Sequence, residues 1–149
     1  MAKPLDEEDV YAKHREEILA HVENDPFAKS LGIRLTKFGA GLAEASIKVQ
    51  GHMVNAHGSV HGAIIYALAD HAFSVACNSY GKTSVGLSTT IQFIASAEPG
   101  DTITARATEV KRNFRTAFYR IDVYRETDFI ATMDAVSYRK NSYFVDADQ

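Results

Sequence analysis

The chain has 149 residues, of which 46% are hydrophobic, with a net charge of −3 and a single cysteine, Cys77. Such a length suits one compact domain, residues 1–149, with a core of its own. The lone thiol excludes an internal disulfide or a cysteine zinc cluster, and the slightly acidic balance gives no electrostatic footprint for nucleic acid. No stretch reaches the roughly 18 uninterrupted apolar residues of a membrane span, and residues 1–4 lead into acidic sequence rather than an apolar signal core. A soluble, cytoplasmic protein without a membrane partner is therefore expected.

Residues 7–22 place Val10, Tyr11, Ile18, Leu19 and Val22 near a 3.6-residue period with charges between them, which predicts an amphipathic helix in an N-terminal leader, residues 1–26. Asn24-Asp25-Pro26 ends it, because proline disfavours helix in the residue before it and has no N–H to donate. Gly39-Ala40-Gly41 reads as a turn into a strand over residues 42–49. A long helix follows over residues 61–79. Residues 85–94 are extended, Glu98-Pro99-Gly100-Asp101 is a turn, and residues 102–112, 116–125 and 130–139 alternate as antiparallel strands with tight connections. The expected order is helix, strand, long helix and four strands, an α+β arrangement with a short tail at 141–149.

The long helix carries Ala63, Ile64, Ile65, Tyr66, Leu68, Ala72, Phe73 and Val75 around all its sides, a pattern of burial all round such as a curved sheet wrapped about one central helix provides. Asp70 sits in its middle, and no Lys or Arg occurs between Gly51 and Gly81 to serve as a local partner. A buried, unpaired carboxylate costs several kcal/mol or retains its proton. A structural ion pair, or a helix facing water along one stripe, would explain Asp70 without chemistry. The absence of local cations favours a perturbed carboxylate poised in a cleft.

Asn55-x-His57-Gly58-x-x-His61-Gly62, followed by Leu68-Ala69-Asp70 and Asn78-Ser79, resembles the signature of the PaaI-like (phenylacetate-degradation type) acyl-CoA thioesterases of the hotdog fold. The likeness covers residues 27–140, including Thr90-Ile91-Gln92-Phe93 and the Pro99-Gly100-Asp101 turn; Ala63 stands where the family more often has a second glycine. The resemblance implies that Asp70 is the catalytic carboxylate, as base or nucleophile, that Asn55 lies near the attacking water, and that the Gly62 amide polarises the thioester carbonyl. His61 joins them through an expected hydrogen bond at the helix start. Physical chemistry agrees with the Gly62 role, since first-turn N–H groups lack intrahelical acceptors and the helix dipole favours negative charge there.

The implied substrate is an aryl (phenylacetyl-like) or short-to-medium acyl-CoA, with coenzyme A part of the substrate and no separate cofactor. A hotdog hydratase or dehydratase and a non-catalytic acyl-CoA sensor are the alternatives. Ser88 is a candidate to line the cleft, and Lys111, Arg112, Arg115 and Arg139 are candidates to bind the phosphates of coenzyme A, against an ordinary reading as solvated strand-end cations. Tyr66, Phe73, Phe93 and Phe114 could shape an acyl pocket or belong to the core. His52, His57, His61 and His71 crowd together without regular metal-ligand spacing, so no metal site is expected, and Cys77 is expected to pack.

Gly62 and Asp70 are eight residues apart, about 12 Å along a helix axis. Both cannot reach one carbonyl from a single straight helix, since reacting groups approach to roughly 3–3.5 Å. A homodimer with antiparallel central helices would bring Asn55 and Gly62 of one chain to Asp70 of the other, giving two shared sites. The resemblance implies the same pairing and a further step to a homotetramer.

Overall fold

A computed structural model describes residues 5–148, so the first four residues of the expected leader and the last of the expected tail lie outside the described residues. Asp6 caps the first helix, α1 (Glu7–Glu23), by accepting from the Glu8 and Asp9 N–H groups at 3.1 and 3.4 Å. The helix buries Val10, Ile18 and Val22, as its periodicity predicts. Proline then does more than end it. Asp25 accepts from Ala28 N–H at 2.9 Å and Pro26 occupies the first turn of a second helix, α2 (Pro26–Leu31), where its missing N–H is no loss.

Six strands and a long helix follow, with a single 3-10 turn, Gly51–Met53, before the helix: β1 (Arg34–Gly39), β2 (Leu42–Lys48), α3 (Gly62–Cys77), β3 (Lys82–Phe93), β4 (Thr102–Arg112), β5 (Thr116–Arg125) and β6 (Asp128–Tyr143). The six strands form one antiparallel sheet in the order β1-β2-β4-β5-β6-β3. β1 is an addition to the expected order. It is an edge strand with a bulge between Leu35 and Lys37 and no fully buried residue, so it leaves no alternating apolar pattern in the sequence. β6 runs past the expected end of the core because Tyr143 pairs with Lys82 and Arg139 with Ser84 on β3.

The helix α3 lies on one face of this sheet. Ala43, Ala45 and Ile47 of β2 and Ala105 and Ala107 of β4 are buried, as are Leu68, Ala69, Ala72 and Ala76 of α3. Small side chains on both surfaces let the helix backbone approach the strands closely. The expected burial all round the helix does not hold within the chain. Ala63 and Asp70 are exposed and Ala67 and Ser74 half-buried, a stripe at helical spacing that the sheet does not reach. The reason is that the single sheet covers only one side of the helix. Its far edge, β3, is also open: Val85, Leu87 and Phe93 are 42, 62 and 53% exposed.

Candidate active site

The approach to α3 is built before the helix begins. Asn55 Oδ1 accepts from the N–H groups of His57 at 2.9 Å and Ser59 at 3.3 Å, tightening the loop, and the turn is pinned by Val60 N–H to Ala97 O at 2.8 Å and His61 N–H to Met53 O at 2.7 Å. The Asn55 carboxamide oxygen is thus committed to the loop, and its NH2 donates to no acceptor among the described residues.

His61 caps the helix as expected. Its Nδ1 accepts from Ala63 N–H at 3.1 Å, which places the hydrogen of the neutral ring on Nε2, and its carbonyl receives Ile64 and Ile65. Gly62 N–H, between them, donates to no acceptor among the described residues. This open amide stands at the positive end of the helix dipole. A Cβ on Gly62 would lie 3.3 Å from the Phe93 ring, so the aromatic face of β3 closes directly over the glycine.

Asp70 lies two turns further along the exposed stripe, about 12 Å from Gly62 along the axis. It opens onto a narrow cleft of ≈ 50 Å³ lined by Asp25, Phe27, Ala28, Ile33 and His71 among others. Solvent reaches the side chain, yet burial in this cleft is the main force raising the Asp70 carboxyl above its ordinary value; the charge of Asp25 adds to the rise and His71 opposes it. Burial also pushes the His71 imidazole down, against the pull of Asp25, whose Oδ2 is 3.9 Å from His71 Nδ1. Asp25 escaped the sequence reading. Its signal was its place as a carboxylate directly before a proline at a helix start.

The remaining candidates divide. Ser88 is exposed on β3 beside the bulge between Gly86 and Ser88, and Tyr66 hydrogen-bonds Thr89 at 2.9 Å, so both stand near the open edge. Phe73 belongs to the core, 5.7 Å from the Tyr119 ring, and Phe114 projects from the β4–β5 turn, so the four aromatics line no common pocket. Cys77 is buried, with its thiol pushed up to about 12 by burial, and packs as expected.

Lys111 and Arg115 are exposed. Arg112 and Arg139 are not the solvated cations that strand ends suggest. Arg112 pairs with Glu109 at 3.0 Å and Glu7 at 3.6 Å, and Arg139, 2% exposed, pairs with Glu7 and donates to Asn113 O at 2.7 Å. Among the described residues no three His, Cys, Asp or Glu side chains converge as metal ligands, and no helix is long and apolar enough to cross a membrane.

A helix seated on one face of a six-stranded antiparallel sheet, with an unpartnered amide at its N-terminus and a carboxylate on its uncovered stripe, is the arrangement of a hotdog scaffold. The sequence profile of the thioesterase superfamily matches residues 57–130. The chain is 38% identical over 107 residues to the acyl-coenzyme A thioesterase PaaI of Escherichia coli, a match spanning 72% of this chain and 76% of that protein. The solved E. coli PaaI structure, from the phenylacetic acid degradation operon, superposes with a TM-score of 0.83 at 32% identity, covering 93% of this chain and 99% of that one. The TT0310 protein of Thermus thermophilus gives 0.77 at 35% identity over 78 and 99%. The chain belongs to the thioesterase superfamily, as a PaaI-like hotdog thioester hydrolase.

Proposed function

We propose that the chain hydrolyses an aryl (phenylacetyl-like) or short-to-medium acyl-CoA at a site shared by two copies. The observation that carries this reading is the unpartnered Gly62 N–H, set at a helix N-terminus under Phe93 and separated from Asp70 by two turns. The amide donates to the thioester carbonyl oxygen as it gains negative charge. Asp70 either takes a proton from the attacking water and passes it to the departing thiolate, or attacks the carbonyl carbon itself, expelling the thiolate and forming a mixed anhydride that water then cleaves to regenerate the carboxylate. By either route one water is consumed, the acyl group leaves as the free acid and coenzyme A as the thiol. A carboxyl raised by burial is a stronger base than an ordinary one. Asn55, held in its loop by its oxygen, presents its NH2 to the reacting water or carbonyl.

A second copy supplies the missing half. β3 is a sheet edge with unpaired backbone groups and the exposed apolar side chains of Val85, Leu87 and Phe93, and the uncovered stripe of α3 is on the same unit. Pairing two β3 edges antiparallel about a two-fold axis makes a continuous sheet and sets the central helices antiparallel, with Gly62 of one facing Asp70 of the other. Ser88, on that edge, would line the cleft, and the exposed Lys111 and Arg115 are available to the phosphates of coenzyme A. The name of the E. coli relative supports the substrate class. A screen of acyl-CoA thioesters for thiol release tests it. Hydrolysis of at least one aryl or short-to-medium thioester is expected, whereas a change in double-bond absorbance without thiol release would mark a hydratase, and binding without turnover a sensor.

A further inference from the structure

A second concave feature, apart from the Asp70 cleft, lies at the opposite end of β3 from Phe93 and Gly62, beside the start of α1. A pocket of ≈ 480 Å³ there is lined by Lys82, Arg112, Arg139, Glu7, Asn141 and Tyr143 among others. Its volume falls within the roughly 300–1,000 Å³ of ordinary ligand sites. Lys82 is 3% exposed, yet its ammonium has one long hydrogen bond, 3.4 Å to Phe114 O, and rests 4.1 Å from the Phe114 ring. Among the described residues no carboxylate pairs with it.

Three cations thus face one lining carboxylate, Glu7, which is already divided between Arg139 and Arg112; Glu109, outside the lining, also holds Arg112. Burial and the neighbouring Arg139 push the Lys82 amine down, with Arg115 adding to the effect and Glu7 opposing it. A buried ammonium with unused donors beside two guanidinium groups is an arrangement that an anion completes. Guanidinium forks and an ammonium suit the several acceptor oxygens and multiple charge of phosphate better than a single carboxylate.

We propose that this pocket binds phosphoryl groups, with Lys82 as its unsatisfied donor and Glu7 of α1 as an internal occupant that a ligand displaces. The arrangement also fits the reading above. β3 spans eleven steps from Lys82 to Phe93, roughly 36 Å at ~3.3 Å each, so antiparallel pairing about its middle carries the pocket of one copy to the Gly62 end of the other. Coenzyme A as the source of the phosphoryl group rests on the thioesterase reading; the pocket itself does not.

Titration calorimetry without turnover separates the two. Free coenzyme A and inorganic pyrophosphate are titrated into the wild-type chain, Lys82→Met and Glu7→Gln. Lys82→Met is expected to weaken binding by tenfold or more, about the value of one charge-assisted hydrogen bond, and Glu7→Gln to strengthen it several-fold. Lys82-dependent binding of coenzyme A identifies the substrate's own phosphates; Lys82-dependent binding of pyrophosphate alone keeps the site and severs it from the thioesterase reading. Binding of neither probe, or binding indifferent to Lys82, overturns the proposal. Should Lys82→Met fail to fold by circular dichroism, Glu7→Gln decides, and unchanged affinity there overturns it.

Discussion

The α3–β3 unit has a closed end and an open end. At the junction, Ser79, Gly81, Lys82 and Ser84 are all buried. Asn78 ties the turn by donating to Ser84 O at 3.1 Å and accepting from Ser84 N–H at 2.9 Å, while Ser79 Oγ donates to Ala76 O at 2.7 Å and accepts from Gly41 N–H at 2.8 Å. At the other end Gly62 N–H has no acceptor among the described residues, Asp70 faces outward, and Leu87 and Phe93 are exposed. The turn at one end is closed by hydrogen bonds within the chain, with Lys82 its one donor left open. On the proposed reading the other end is completed by a ligand and a second copy, so substitutions within the closed turn should cost stability and those at the open end should cost activity.

The largest effect is expected for Asp70→Asn, which keeps the shape and removes the charge. Turnover should fall on the order of 10²–10⁴ in steady-state kinetics, and near-normal turnover would remove Asp70 from the chemistry. Stability should hold or rise. Because the folded carboxyl is raised, the folded state holds the extra proton between its ordinary and raised values, so stability declines as pH rises through that window. Asparagine abolishes that slope, which melts across acidic pH would show. Wild-type activity should rise with pH through the same raised value, since the ionised form is the base or nucleophile.

Gly62→Pro deletes the amide and should lower kcat by on the order of 10²–10³, the usual loss for one oxyanion donor. Gly62→Ala keeps it. The nearest atoms to the added methyl are those of the Phe93 ring, 3.3 Å away, which must give by a few tenths of an ångström, so a loss below about tenfold is expected. Equal losses in the two variants, with folding checked by circular dichroism, would make crowding the cause instead of the amide.

Leu87→Lys places a charge in the middle of the open edge. Sedimentation should show a shift from dimer to monomer and the thiol-release assay a parallel loss of activity, with the folded chain intact because Leu87 is 62% exposed. An active monomer would contradict a shared site. The smallest effect on chemistry belongs to the closed end. Gly81 has φ +76 and an added Cβ would lie 2.7 Å from Val145 Cγ2, so Gly81→Ala should destabilise by about 1–3 kcal/mol in denaturant melts while folded enzyme keeps its kcat.

Much of this contrast was legible beforehand in unequal ways. The helix α3 was readable because its cap, its first-turn glycine and its apolar run are all local. The strands β4 to β6 were readable because turns and alternation are local too. β1 and α2 were not: β1 is half-exposed with a bulge, and the proline that stops α1 equally starts α2. The exposure of Asp70 escaped notice because an apolar helix surface reads alike whether a sheet of its own chain or another copy covers it. Arg112 and Arg139 misled for a different reason. Their partner Glu7 is more than a hundred residues away in sequence, and nothing local announces that α1 folds over the strand ends.

The central claim, one site made from two chains, is tested most directly by complementation. Asn55→Ala and Asp70→Asn chains carrying different tags are co-expressed, and thiol release is measured on the mixture and on the doubly purified mixed dimer. Random pairing makes about half the dimers mixed, each with one intact and one doubly damaged site, so the mixture should recover about a quarter of wild-type activity and the mixed dimer about half. Mixed dimers no more active than the two parent variants would contradict the account.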